Sequence, residues 1–267
     1  MNEMELPLVF FTVLAQTSIG LVLFSTLRSL TFAEGPDKPL FNEQIVAMAL
    51  ISVALLASLA HLGHPFGAIR TLTGLKHAWL SREILIFGLL SSALLVSVVL
   101  RLRGTNDRRL QVVTAILGLI ALVVQGFTYA PPSEPTLANG VPLVLFLFTA
   151  VTLGTAFGSW FVSTEKQPIL TAVLAAVLLT GLLINLLLPN IWLTGGFIAE
   201  MTGHAYLDSP LYWGRLLIGF VVPLLILIRI RRIPVWLPLL ILSGELIGRI
   251  AFFSLAVSTA QHIGMPL

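Results

Sequence analysis

The 267 residues contain no cysteine. That absence excludes disulfides, iron–sulfur ligation and thiolate metal sites within this chain. Charge is scarce as well: 10% of residues are charged, against about 25% in a soluble domain. A basic n-region is missing too, because the chain opens with Glu3 and Glu5. The first apolar run is long and lacks a small-x-small cleavage site, so a retained span is expected there rather than a cleaved signal peptide. The net charge of +3 comes from loop clusters with no aromatic-interleaved groove between them, which argues against nucleic acid as a partner. No short-period repeat stands out.

What remains is apolar, at 57% hydrophobic residues. About 20 apolar residues cross the hydrocarbon of a bilayer as a helix. Eight such stretches lie at roughly 6–30, 43–62, 83–101, 109–129, 141–163, 167–187, 212–230 and 235–258. They leave no room for a soluble domain. The expected fold is all-α: a polytopic membrane protein, one integral-membrane domain over 1–267 with eight transmembrane helices in a bundle. Breakers fall between the runs, at Gly35-Pro36, Pro65, Pro131-Pro132 and Pro234.

Basic residues orient the bundle. With the N-terminus outside the cytoplasm, the inward connections carry Arg28, Lys38, Arg101, Arg103, Arg108, Arg109, Lys166, Arg229, Arg231 and Arg232, ten of the fifteen Lys and Arg. The outward loops near 130–140 and 188–211 carry none. The positive-inside rule then puts both termini outside. The outward segment 63–82 departs from the pattern with Arg70, Lys76 and Arg82. Charge kept on that side suggests partner docking or a lined site, with a short loop of tolerated charges as the alternative.

A few polar residues stand within or beside the spans. A charge in hydrocarbon costs about 3 kcal/mol or more, so such groups pair with one another or carry function. His61 closes the second run and Glu83 opens the third, which places them at one depth near the outer surface on adjacent helices. An imidazole titrates near neutrality and a carboxylate accepts protons, a combination suited to removing a proton from a hydroxyl. An interfacial cap and a first-turn carboxylate are the structural alternative. Glu245 and Arg249, four apart in mid-span with Glu first, are expected to form a buried ion pair. Gln16 and Asn185 suit interhelical hydrogen bonds, and Gly154 with Gly158 suits close helix packing. His64, His77, His204 and His262 fall in loops or the tail. Bis-histidine haem needs two facing histidines within the bilayer, and only His61 is convincingly helical, so no haem is expected.

The segments Ala57-Ser58-Leu59-Ala60-His61-Leu62-Gly63-His64-Pro65, Leu80-Ser81-Arg82-Glu83-Ile84 and Gly244-Glu245-Leu246-Ile247-Gly248-Arg249 together resemble the membrane-anchor subunit of anaerobic dimethyl sulfoxide reductase. The opening Pro7-Leu8-Val9-Phe10-Phe11-Thr12-Val13-Leu14-Ala15-Gln16 is similar to that family's start, glutamine included. The likeness extends over the chain in length and spans, while the middle spans share little beyond hydropathy. Arg82 stands where the family often has an uncharged residue.

The resemblance implies an anchor in the bacterial cytoplasmic membrane that oxidises menaquinol near the outer face. Electrons would pass to a four-cluster iron–sulfur subunit and then to a molybdopterin catalytic subunit. The family's quinol-site histidine falls on His61 and its glutamate on Glu83. A small-molecule transporter is the rival reading, but transporters place polar groups at the midplane of repeated halves, whereas here the best polar pair, His61 and Glu83, lies near the outer surface and the halves do not match. A tether without a quinol site is a third.

Overall fold

The computed structural model describes residues 5–31, 38–61, 72–105 and 107–261. Among them the chain is helical and contains no strand. The helices are α1 (Glu5–Thr31), α2 (Lys38–His61), α3 (Trp79–Leu102), α4 (Arg108–Thr128), α5 (Val141–Gly158), α6 (Gln167–Leu193), α7 (Phe197–Asp208), α8 (Pro210–Ile230) and α9 (Leu237–Leu255). All but α7 belong to the eight segments long and apolar enough to cross a membrane. The protein is a multi-pass membrane protein with eight spans, as composition indicates.

α1 is the axis of the bundle, packed against α2, α4, α5 and α9. Its contact with α5 is backbone to backbone. A Cβ added at Gly154 would lie 2.4 Å from Gly20 O, and one at Gly20 would lie 2.0 Å from Ala150 O. Small residues allow this approach, which lipid-embedded helices need because water supplies no driving force between them. The expected packing role of Gly154 and Gly158 is what the structure has, with the face of Phe24 covering Gly158. Ser18 Oγ donates to Ala47 O of α2 at 2.7 Å and ties the second helix to the axis.

Two elements differ from the sequence reading. The sixth span does not stop at 187 but runs to Leu193, with Pro189 inside it. Proline there leaves the Asn185 carbonyl without its usual N–H. The Tyr212 hydroxyl of α8 donates to that oxygen at 3.1 Å, so the helix continues without an orphaned acceptor. The stretch 188–211, read as a loop, therefore holds the end of α6 and the whole of α7. α8 in turn widens into a π-turn over Leu217–Val221, just before Pro223, which cannot donate to the carbonyl four residues back.

Because successive spans alternate in direction, α1, α3, α5 and α8 begin on the side where α2, α4, α6 and α9 end. This is termed the proximal side. The clusters Arg101–Arg103 and Arg108–Arg109 lie at the opposite, distal ends. Arg28, also distal, pairs with the buried Glu43 of α2 and donates to Phe161 O at 2.7 Å.

Candidate functional site

A layer of buried polar side chains crosses the proximal half of the bundle. It begins where α8 meets α9. A Cβ on Gly244 would lie 2.2 Å from Gly219 Cα, and one on Gly248 would lie 2.5 Å from Arg215 Cδ. With glycine at both places, the Arg215 side chain lies across α9 and its Nη1 comes within 2.9 Å of Glu245 Oε1. The other Glu245 oxygen accepts from Thr149 Oγ1 at 2.8 Å. Arg249, one turn further along α9, donates through Nη2 to Thr149 Oγ1 at 3.1 Å and to Gln16 Oε1 at 2.7 Å. Gln16 Nε2 donates to Gln125 Oε1 at 2.8 Å. The two guanidiniums rest on aromatic faces, Arg249 4.0 Å from the Phe146 ring centre and Arg215 4.7 Å from that of Phe220.

These residues are at most 7% exposed. A cavity of about 40 Å³ adjoins them, walled by Asn185, Trp192, Tyr206, Tyr212, Arg215 and Arg249 among others. In hydrocarbon, unmet polar groups cost several kcal/mol each, so a network of this length holds five helices, α1, α4, α5, α8 and α9, in one register.

Glu83 stands at the other end of the layer, four residues into α3 and hence about 6 Å along it. It is 3% exposed. Gln125 and Thr128 of α4 face its carboxylate. Glu83 Oε1 and Gln125 Nε2 nevertheless have no hydrogen-bond partner among the described residues. They face one another without meeting in hydrogen-bond geometry. Tyr129, at the end of α4, is close by. Burial holds its hydroxyl well above the usual phenol range and the Glu83 carboxylate adds to this, so it stays neutral.

The model of the DMSO reductase anchor subunit (DmsC) family matches residues 1–255. The chain belongs to the DMSO reductase anchor subunit family. Among DmsC relatives, it is 29% identical to the C subunit of the anaerobic dimethyl sulfoxide reductase of Haemophilus influenzae, over 61% of this sequence and 60% of that one. The matched stretch is thus under two thirds of the Haemophilus protein. Identity to YnfH, an anaerobic dimethyl sulfoxide reductase subunit of Escherichia coli, is 25%, over 97% of both sequences. As a member of the DmsC family, the protein is a membrane anchor of a DMSO reductase-type complex. Such an anchor implies catalytic and electron-transfer partner subunits.

The residues singled out in the sequence fall differently across this site. His61 is the last residue of α2, which packs against α3, but its side chain and Arg70 lie outside the described residues. Lys76 is exposed. Arg82 is engaged locally: Nε and Nη2 donate to Leu75 O and Lys76 O, each at 2.9 Å, and its guanidinium covers Trp79 at 4.3 Å. It fastens the turn before α3. Glu245 and Arg249 are buried as expected, yet Glu245 takes its direct ion pair from Arg215 and reaches Arg249 through Thr149. Both arginines approach Glu245, but only Arg215, coming from another helix across glycine, brings its charge within 2.9 Å of the carboxylate. Gln16 does link helices, whereas the Asn185 amide stays in its own helix, donating to Gly181 O at 2.8 Å.

Arg215 and Gln125 were passed over in the sequence. Both carry a visible signal, since each is a polar residue inside an apolar span.

Proposed function

We propose that this anchor oxidises menaquinol at the proximal side of the membrane, with His61 and Glu83 receiving the protons, and hands the electrons to an iron–sulfur subunit. The observation that carries the reading is the buried Glu83 carboxylate, whose Oε1 has no hydrogen-bond partner among the described residues, on the same side as the His61 end of α2. Leaving a buried acceptor unmet is costly, and a quinol hydroxyl would meet it. In the reaction, two O–H bonds of the quinol break. The two protons go to side chains of the site and the two electrons leave to the partner, yielding the quinone.

The similarity to proteins named as parts of dimethyl sulfoxide reductases supports a four-cluster iron–sulfur subunit and a molybdopterin subunit as partners. We further propose that the proximal side faces away from the cytoplasm, with both termini there, in the bacterial inner membrane. The distal basic clusters support this. The protein would hold no haem and no cluster of its own. Its cysteine-free sequence supports the second point, and the first is supported by His77 and His204, whose described side chains lie outside the spans.

His61→Ala tests the reading. Quinol-dependent turnover should collapse in membranes that still hold the assembled complex, while reduction driven by an artificial donor to the partner subunits persists. Undiminished quinol turnover in that complex would remove the redox role.

A further inference from the structure

We propose that Gln125 is a further residue of the quinol site, and that Gln16 and Arg249 are positioning residues that decide which way its amide points. The inference rests on the reading that Glu83 takes a proton from the quinol.

The argument starts at Arg249, because a guanidinium can only donate. Its Nη2 lies 2.7 Å from Gln16, so the Gln16 atom there must be the oxygen. The Gln16 NH2 then points the other way, 2.8 Å from Gln125, and the Gln125 atom there must again be the oxygen. That leaves the Gln125 NH2 turned to α3, where Glu83 stands. An amide's two ends are ordinarily ambiguous. Here a residue two links away removes the ambiguity, and the three donors run head to tail from Arg249 toward Glu83.

Among the described residues, the last donor of this series has no hydrogen-bond partner, and neither does Glu83 Oε1. An unmet donor beside an unmet acceptor is the complement of one hydroxyl, which donates to the carboxylate and accepts from the amide. When the quinol O–H breaks, its proton forms a new O–H on Glu83 and the oxygen becomes the richer acceptor. The Gln125 N–H then holds it more strongly and goes on holding the carbonyl of the quinone after both electrons have left for the partner's iron–sulfur centre. The amide series runs from Arg249, the arginine not directly paired with Glu245, to the side of α4 that faces Glu83.

The test uses the assembled complex in membranes and a short-chain naphthoquinol as the probe. Gln125→Met fills the volume without a donor and should raise the KM for the quinol about tenfold, the value of one hydrogen bond to a ligand. Gln16→Glu keeps size and the arginine bond but offers only acceptors to Gln125. The Gln125 amide must then turn its NH2 toward the new carboxylate and present oxygen to the quinol, so KM should rise as much. Combining the two should be no worse than Gln125→Met alone, a non-additivity that general loosening of the core would not give. Should Gln125→Met fail to assemble, Gln16→Glu carries the test. Unchanged KM in Gln16→Glu, with Glu83→Gln inactive, overturns this inference alone. Full turnover in Glu83→Gln overturns the reading on which it rests.

Discussion

Arg215 and Glu245 meet at 2.9 Å across a contact of two glycines, Gly219 and Gly244. The pairing joins α8 to α9 and depends on a backbone approach that leaves no room for a side chain at Gly244, where a Cβ would lie 2.2 Å from Gly219 Cα. It also changes which substitutions matter. Within one helix, an i, i+4 pair contributes a few tenths of a kcal/mol. A buried pair between helices, stripped of one partner, leaves an orphaned charge.

Arg215→Met is therefore expected to destabilise the purified protein by about 3–5 kcal/mol, and Arg215→Met with Glu245→Leu by much less. Thermal unfolding in detergent measures both. Equal losses in the single and double variants would mean that water reaches the pair.

Tyr212→Phe should cost about 1–3 kcal/mol, since it leaves the Asn185 carbonyl unmet in a membrane-spanning helix. Pro189→Ala restores an N–H for that carbonyl. Against the Pro189→Ala background the tyrosine hydroxyl should become nearly dispensable, and a double-mutant cycle read by denaturation shows the coupling.

Gly154→Leu should prevent α1 and α5 from closing, because even a Cβ would stand 2.4 Å from Gly20 O. The expected outcome is loss of protein from the membrane fraction, with Gly88→Leu as the harmless control, since nothing lies within 4 Å of that position. Immunoblots of matched membranes decide it.

Reporter fusions after Leu30 and after Arg101 should read as cytoplasmic, and a fusion at Leu267 as external. A cytoplasmic signal at Leu267 would place the Glu83 end of the layer on the inner side and reverse the proposed direction of proton release.

Hydropathy alone announced the eight spans, because bilayer thickness forces about 20 apolar residues into each. Gly154 and Gly158 announced their packing for a similar reason, as small residues have little other use at that spacing. The C-terminal end of α6 was hidden: the apolar run reads as ending at 187, and what lets the helix continue through Pro189 is a hydroxyl from Tyr212, 23 residues later. Glu245 and Arg249 declared their burial but not their partners, since pairing between helices depends on which faces meet. Gln125 gave only a weak signal alone. It acquires meaning from Gln16, 109 residues away, and no local pattern encodes that distance.

The bond between Gln16 and Arg249 spans 233 residues, joining α1 to α9. Until α9 is in place, α1 must sit in lipid with the Gln16 oxygen lacking its final partner. The polar interior is thus closed by a helix far along the chain from the axis it completes, and the arginine that directs the amide series is also the group that seals it.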